Sequence, residues 1–166
     1  MRAYARTTVP QLEPLDLRDI VRAALRKVGP QLQLLPPARQ RLDPTPLVLG
    51  DEGKLVQAVV NAIVNSAFAL GHLAGRPPAL EIRTYTAPNG EAALEVRDNG
   101  PGFPAELLPR LGEPFVTTRT SVGGSGLGLL VVRGIVDAHG GTLQLENARG
   151  GGALLRILLP PAPHPA

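Results

Sequence analysis

The stretch Leu94-Glu95-Val96-Arg97-Asp98-Asn99-Gly100-Pro101-Gly102 joins an alternating apolar segment to a turn rich in glycine. A similar alternation in Leu80–Tyr85, followed by Pro88-Asn89-Gly90, predicts a β-hairpin whose second strand ends at Asp98. Asp, Asn, Gly and Pro occur in any turn, so the motif can be an ordinary turn. It can also be a binding loop, because its glycines let a ligand approach the main chain and the Asp98 carboxylate can accept a hydrogen bond from a base amine.

Three helices and further strands are predicted around this hairpin. The helices begin after Asp16, after Asp51 and near Gly126, and they end at Gly29-Pro30, near Leu73 and at His139. The other predicted strands are Gln31–Leu35, Leu47–Leu49, Thr142–Glu146 and Ala153–Leu159, with a turn at Pro36–Pro46. Because strands and helices do not alternate strictly, the pattern predicts an α+β fold: a two-layer sandwich with a mixed, mostly antiparallel sheet and helices on one face.

The second helix has an apolar face and a polar face. The apolar face carries Leu55, Val59, Ile63 and Leu70, and the polar face carries Lys54, Gln57, Asn61 and Asn65. A solvated stripe is the ordinary interpretation of such a polar face. Alternatively, Asn61 and Asn65 lie one turn apart and present amide oxygens to the same place. Mg²⁺ takes one or two oxygen ligands from a protein and keeps several waters, so this pair also fits a magnesium site.

The third helix opens with Gly123-Gly124-Ser125-Gly126-Leu127-Gly128-Leu129. Free N–H groups at a helix start favour phosphate binding, although such a start is weak evidence alone. No Gly-Lys-Ser/Thr follows, and the glycine spacing differs from the dinucleotide fingerprint. The preceding segment, from Gly102 to Gly124, has no sustained period and contains three prolines, which predicts a functional lid or mobile loop.

Composition excludes several classes of protein. Of the 166 residues, 43% are hydrophobic and 19% charged, which is typical of a globular domain. The absence of cysteine excludes disulfides and cysteine-ligated metals. Basic residues are scattered, and with two Tyr, three Phe and no Trp there is no stacking platform, so no nucleic-acid partner is expected. The apolar runs Leu127–Val132 and Leu154–Leu159 are too short to span a bilayer, so no direct membrane contact is expected.

The order of the motifs is more specific than any one of them. Asn-x-x-x-Asn on a helix, Asp-x-Gly-x-Gly after a strand, the segment Glu113–Arg119 and Gly-x-Gly-x-Gly at a helix start resemble the ATP-binding domain of sensor histidine kinases. That domain belongs to the Bergerat-fold superfamily, with DNA gyrase and heat-shock chaperones. The resemblance runs from about Leu15 to Pro160, and its lid segment is most similar to the nitrogen-sensor branch.

The resemblance implies a domain organisation. Residues 15–160 would form the ATP-binding catalytic domain, with a mobile lid over about 103–123. Residues 1–14 would be a linker or the remnant of a dimerisation helix, and residues 161–166 a disordered tail.

The resemblance also implies roles for individual residues. Asn65 corresponds to the magnesium ligand, and Asn61 lies near the γ-phosphate with a catalytic role that Arg119 shares. Asp98 would accept the exocyclic amine of adenine, and Gly100 and Gly102 would let adenine lie against the main chain. The remaining nucleotide-binding positions are Phe115, Thr117 and Thr118 in the lid and Gly124, Ser125, Gly126, Leu127 and Gly128 at the helix start.

Three departures from the family pattern bear on this site. Ala153 stands where a threonine near the adenine is usual, Val116 replaces a common phenylalanine, and Ser66-Ala67-Phe68 replaces the usual sequence after Asn65. The first departure predicts that a water-bridged contact to adenine is missing.

The implied activity is transfer of the γ-phosphoryl group of Mg-ATP to a histidine on the protein's own dimerisation domain, then to an aspartate of a response-regulator receiver domain. None of His72, His139 and His164 is expected to be that acceptor. The expected location is cytoplasmic and the isolated domain is expected to be monomeric. A clamp-type ATPase is disfavoured, because Asn61 stands where such enzymes carry a glutamate base. A degenerate nucleotide-binding scaffold is the other alternative.

Overall fold

The structure is a computed structural model that describes residues 11–33, 35–71, 73–104, 108–109 and 127–164. Its helices are α1 (Leu17–Val28), α2 (Glu52–Leu70) and α3 (Leu127–Ala138), with a 3₁₀ helix at Gly29–Leu32. Its strands are β1 (Glu13–Leu15), β2 (Arg39–Leu42), β3 (Val48–Gly50), β4 (Leu80–Thr86), β5 (Ala92–Asp98), β6 (Thr142–Asn147) and β7 (Ala153–Leu159).

Five strands form the main sheet in the order β2-β4-β5-β7-β6. The pairs β4–β5, β5–β7 and β6–β7 are antiparallel, whereas β2 runs parallel to its neighbour β4. β1 and β3 form a separate two-stranded sheet. With three helices on one face of a mixed sheet, the predicted α+β two-layer fold is confirmed. The hairpin register places Leu80 opposite Asp98, so the predicted binding loop leaves the sheet beside the start of β4.

Two aspartates begin α1 and α2, as predicted. Asp16 Oδ1 accepts a hydrogen bond from Arg18 N at 2.9 Å, and Asp51 Oδ1 accepts one from Lys54 N at 3.1 Å. Each side chain satisfies a main-chain donor that has no partner within its own helix. The start of α2, and therefore the direction of its polar stripe, is thus fixed by Asp51.

The core lies between the helices and the sheet. On α2 it includes Leu55, Val59 and Ile63, each at most 3% exposed, which confirms the predicted apolar face. By length and composition alone α2 could also cross a membrane. Its buried residues, however, pack in the same cluster as those of α1, α3 and the sheet, which is typical of a core helix.

Two local predictions are wrong. Gln31–Leu35 was expected to be a strand, but a 3₁₀ helix occupies Gly29–Leu32, with Pro30 in its first turn. Proline suits that position because its fixed φ is helical and its missing N–H would have no partner there. The expected turn at Pro36–Pro46 contains β2, an edge strand whose first three residues are exposed and so lack an apolar alternation.

The predicted disordered tail begins with a contact, since Ala162 N donates to Leu47 O at 2.7 Å beside β3.

The face of the sheet away from the helices carries a polar cluster around Glu95, which is 7% exposed. Glu95 Oε2 accepts hydrogen bonds from Tyr85 Oη at 2.6 Å and from Arg156 Nε at 2.8 Å. Burial raises the pKa of Glu95, but these hydrogen bonds and the charge of Arg156 outweigh burial and leave that pKa below its ordinary value. Burial and the neighbouring carboxylate raise the pKa of Tyr85.

Candidate functional site

Asp98, the last residue of β5, is a buried residue, and only one of its two carboxylate oxygens accepts hydrogen bonds from the described part of the chain. Its side chain lies on the helix side of the sheet and the residue is 3% exposed. Oδ1 accepts hydrogen bonds from Gly100 N at 2.9 Å and Ala153 N at 3.3 Å. No described residue donates a hydrogen bond to Oδ2. Oδ2 is therefore an acceptor left open in a mostly buried side chain, and it suits a ligand that brings its own donor.

Gly100 and Gly102 surround this carboxylate with main chain. A Cβ atom added to Gly100 would lie 3.0 Å from Asp98 Oδ1. Gly102 has φ +79°, which side chains with a Cβ rarely adopt, and an added Cβ would lie 2.8 Å from Asn147 Oδ1. Gly102 therefore requires glycine for structural reasons, and a side chain at Gly100 would crowd the Asp98 carboxylate.

The β6–β7 turn supports Asp98 and the loop after it. A Cβ added to Gly152, at φ +97°, would collide with Asp98 O. The side chain of Asn147, the last residue of β6, is hydrogen-bonded to both main-chain polar groups of Phe103. Its Oδ1 accepts from Phe103 N and its Nδ2 donates to Phe103 O, each at 2.7 Å. The turn therefore fixes the main chain of Asp98 and the position of Phe103, where the chain leaves the loop.

The polar stripe of α2 borders the same space. The Cβ of Ala69 would lie 3.6 Å from a Cβ added to Gly100. Asn65 and Asn61 precede Ala69 by four and eight residues, so all three lie on one helix face, about 6 Å apart along the axis. Both asparagines are half-buried, and neither side chain forms a hydrogen bond with the described part of the chain. Their amides are thus available to a ligand that extends along α2 from the Asp98 loop.

The donor set fits magnesium only together with a nucleotide. Among the described residues no three His, Cys, Asp or Glu side chains are grouped to hold a metal by themselves. The half-buried amide oxygen of Asn65 is a hard, neutral ligand of the kind that Mg²⁺ accepts when phosphate oxygens and waters supply the rest. Asn65 would hold such an ion, and the ion would neutralise phosphate charge.

Part of the predicted site lies outside the described residues. Leu127 and Gly128 form the first turn of α3, as the glycine motif predicted. Gly124, Ser125 and Gly126 lie outside the described residues, as do the lid positions Phe115, Thr117, Thr118 and Arg119. Their assignments stay predictions.

His139 has a structural role, as expected. Its Nε2 accepts a hydrogen bond from Asp51 N at 3.1 Å, while Nδ1 lies 2.7 Å from Ile135 O. This pair of contacts requires the tautomer with the proton on Nδ1 and joins the end of α3 to the start of α2. A Cβ added to Gly50 would lie 2.8 Å from the ring, so glycine is required there.

Sequence reasoning missed three residues that shape the site: Arg76, Asn147 and Gly152. Arg76 Nε donates to Asn99 O at 2.9 Å and its Nη2 to Gly100 O at 3.0 Å. The run Gly150-Gly151-Gly152 after a predicted strand was a signal for a close main-chain approach. Nothing in the sequence marks Arg76 or Asn147, because each acts on residues more than 20 positions away.

The absence of threonine at position 153 has a visible consequence. Ala153 contributes its main-chain N–H to Asp98 Oδ1, and its methyl group offers no hydroxyl to a ligand or a bridging water. The carboxylate is therefore positioned by main chain alone on this side.

Comparisons with known proteins show which family this chain is similar to. A family described as histidine kinase-, DNA gyrase B- and HSP90-like ATPase matches residues 50–163. The sensory histidine kinase/phosphatase NtrB of Rhodobacter capsulatus is 32% identical over 167 residues, covering 93% of this chain and 45% of that protein. The mycobacterial sensor histidine kinase MprB is similar with a TM-score of 0.78 and 28% identity, covering 93% of this chain and 100% of that chain. Full-length ShkA, solved in complex with AMPPNP, has a TM-score of 0.76 and 25% identity, covering 98% of this chain and 34% of that chain.

The chain spans less than half the length of its first curated relatives, 21% of a sensor protein of Shewanella frigidimarina and 45% of NtrB. The match nevertheless runs from the last residue of β3 through β7 and includes every described element of the site. The chain belongs to the histidine kinase-, DNA gyrase B- and HSP90-like ATPase family, as a catalytic domain of the sensor histidine kinase type.

Proposed function

We propose that this chain binds Mg-ATP between α2 and the Asp98–Gly102 loop and donates the γ-phosphoryl group to a histidine on a separate dimerisation domain. The observation that carries the proposal is the Asp98 carboxylate, which is 3% exposed and has one oxygen held by two main-chain donors and the other without a described partner. The complex of the similar ShkA with AMPPNP, an ATP analogue, supports an adenine nucleotide as the ligand.

Asp98 explains a preference for adenine. Its Oδ2 accepts a hydrogen bond from the exocyclic amine of adenine, whereas guanine presents a carbonyl oxygen there and is repelled. A hydrogen bond to a charged group contributes about 1.5–3 kcal/mol, which corresponds to roughly 10- to 150-fold in affinity. Glycine at positions 100 and 102 would let the flat base lie close to the main chain of the loop.

The asparagines of α2 serve the phosphates. Asn65 would ligate Mg²⁺, and Asn61, one turn nearer the start of α2, would lie near the γ-phosphate. Together with Arg119, Thr117, Thr118 and the glycine-rich start of α3, they would position the triphosphate and neutralise its charge, which is most of what phosphoryl transfer requires. The imidazole nitrogen of the acceptor bonds to phosphorus, the bond to the ADP oxygen breaks, and the imidazole proton leaves to solvent.

Asn61 distinguishes this activity from hydrolysis. An amide cannot take a proton from water, so the site offers no general base at that position, in contrast to a clamp-type ATPase. A histidine imidazole is itself the nucleophile and needs no such base. The expected partners are therefore the dimerisation domain and, after it, a receiver domain of a response regulator, all on the cytoplasmic side.

Two experiments test the proposal in sequence. Thermal unfolding with Mg-ATP, Mg-GTP and ATP plus chelator should give a magnesium-dependent rise in Tm with ATP that GTP does not reproduce. The absence of any shift would favour a scaffold without nucleotide. Incubation with the isolated dimerisation domain and labelled ATP should then give acid-labile phosphohistidine on that domain. ATP binding without phosphohistidine would favour a nucleotide-binding scaffold, and release of phosphate by the chain alone would favour an ATPase.

A further inference from the structure

A segment between α2 and β4 is hydrogen-bonded to the loop that follows Asp98. In the described part of the chain, five hydrogen bonds join residues 76–79 to Asn99 and Gly100. The Asn99 side chain accepts from Ala79 N at 2.7 Å and donates to Pro77 O at 2.8 Å, and Asn99 N donates to Ala79 O at 3.2 Å. The remaining two come from Arg76, whose guanidinium donates to Asn99 O and Gly100 O.

Arg76 and Asp98 hold opposite ends of one peptide group. Asn99 C=O and Gly100 N–H belong to the same planar, trans peptide, so they point in opposite directions. Arg76 Nε donates to that carbonyl at 2.9 Å, and Asp98 Oδ1 accepts from that N–H at 2.9 Å. The guanidinium therefore fixes the orientation of the peptide plane and polarises the N–H that it presents to the carboxylate.

The next peptide depends on Arg76 as well. Pro101 has no N–H, so the Gly100–Pro101 peptide offers only its carbonyl, which accepts from Arg76 Nη2 at 3.0 Å. The guanidinium also lies close to the β6–β7 turn, since a Cβ added to Gly151 would be 3.4 Å from Nη2. One cation is thus hydrogen-bonded to the loop and lies beside the turn, the two segments that position Asp98. A lysine could reach one carbonyl, but its ammonium lacks the planar fork that reaches two.

We infer that Arg76 is a positioning residue for adenine selection. By donating to the carbonyl of the Asn99–Gly100 peptide, it keeps Asp98 Oδ1 hydrogen-bonded to the main chain and Oδ2 directed at the base. The inference rests on the proposed function, because it assigns the origin of the specificity of that same site. Arg76 is itself exposed and is not one of the predicted ligand positions, so its effect on binding is transmitted through its hydrogen bonds to the loop.

The test compares Arg76→Gln and Arg76→Lys with Arg26→Gln, a control that removes another exposed arginine, one with no ion pair among the described residues. Without nucleotide, amide exchange of Gly100 measured by NMR should be faster in Arg76→Gln, intermediate in Arg76→Lys and unchanged in Arg26→Gln. With nucleotide, the Kd for Mg-ATP should rise about three- to tenfold in Arg76→Gln, the effect of one or two lost hydrogen bonds, and less in Arg76→Lys.

A double-mutant cycle separates positioning from general stability. In the Asp98→Asn background, Arg76→Gln should change the Kd for Mg-ATP by less than about twofold, because the acceptor that it positions is already lost. An equal loss of affinity in both backgrounds overturns the inference. The inference is also overturned if Arg76→Gln does not differ from Arg26→Gln in the amide exchange of Gly100 or in ATP binding. If the wild-type protein binds no adenine nucleotide, the proposed function is overturned, and with it this role of Arg76. If the wild type binds ATP but the Arg76 variants give one of the contrary results named above, only the role of Arg76 is overturned.

Discussion

Replacing Asp98 by asparagine should remove adenine recognition while leaving the fold in place. The amide oxygen of asparagine can keep the two hydrogen bonds that Oδ1 now accepts from Gly100 N and Ala153 N. The amide NH₂ then occupies the place of Oδ2 and faces the exocyclic amine of adenine, so a donor meets a donor.

The expected loss follows from the bond that disappears. A hydrogen bond to a charged partner contributes about 1.5–3 kcal/mol, so the Kd for Mg-ATP should rise about 10- to 150-fold. Affinity for Mg-GTP should not fall, because the new NH₂ can donate to the guanine carbonyl. Isothermal titration at constant free Mg²⁺ measures both constants.

Asp137→Asn is the matched control, since Asp137 is exposed on α3 and the substitution removes the same charge. It should bind ATP as the wild type does. Thermal unfolding without nucleotide checks that Asp98→Asn is folded. Superimposable ATP titrations of folded Asp98→Asn and wild type would refute the assignment of Asp98.

Three further outcomes are expected. Asn65→Ala should weaken Mg-ATP binding about tenfold, the loss of one contact to a charged partner, and should leave metal-free ATP binding unchanged; an equal loss in chelator would exclude Asn65 as the metal ligand. Gly152→Ala should lower the free energy of unfolding by several kcal/mol, because the added Cβ would collide with Asp98 O. The control Gly150→Ala, at φ +89° and with nothing within 4 Å of the added Cβ, should lower it by about 1–3 kcal/mol, and equal urea midpoints of the two variants would contradict the close approach. Burial raises the pKa of Glu95, but its hydrogen bonds and the charge of Arg156 lower that pKa by more than burial raises it. The ionised carboxylate therefore stabilises the fold fully above the unfolded-state pKa of about 4.3, and this stabilisation is lost as the pH falls through the lowered folded-state pKa. Glu95→Gln should therefore unfold about 1–3 kcal/mol more easily at pH 7, and the difference from wild type should shrink in acid; a difference independent of pH would assign it to packing.

The elements that position the site could be predicted because local signals agree with tertiary structure there. Asp51 caps α2, the helical period separates a buried face from the asparagine stripe, and the β4–β5 hairpin delivers Asp98 to a strand end. In each case burial on one side imposes the pattern that sequence analysis detects. The position of Asn61 and Asn65 beside the Asp98 loop then follows from the contact of Ala69 with Gly100.

The supports of the loop could not be predicted, since they depend on which distant segments meet. β2 was missed because an exposed edge strand with two arginines needs no apolar alternation. Arg76 follows a glycine and precedes two prolines, a context that indicates only a helix stop. Its role depends on carbonyls 23 and 24 residues away, which only the packing of the 75–79 segment against the loop brings within reach.

We expect the carboxylate at the end of β5 and the amides of α2 to serve one nucleotide. NMR titration of the nucleotide-free chain with Mg-ATP tests it directly, by following the side-chain amides of Asn61 and Asn65 and the main-chain amides of Gly100 and Gly102. Both groups of signals should shift together and saturate with a single Kd, and Mg-GTP should reproduce the shifts only at much higher concentration. Signals that respond on one side only, or that saturate at two different concentrations, would contradict it.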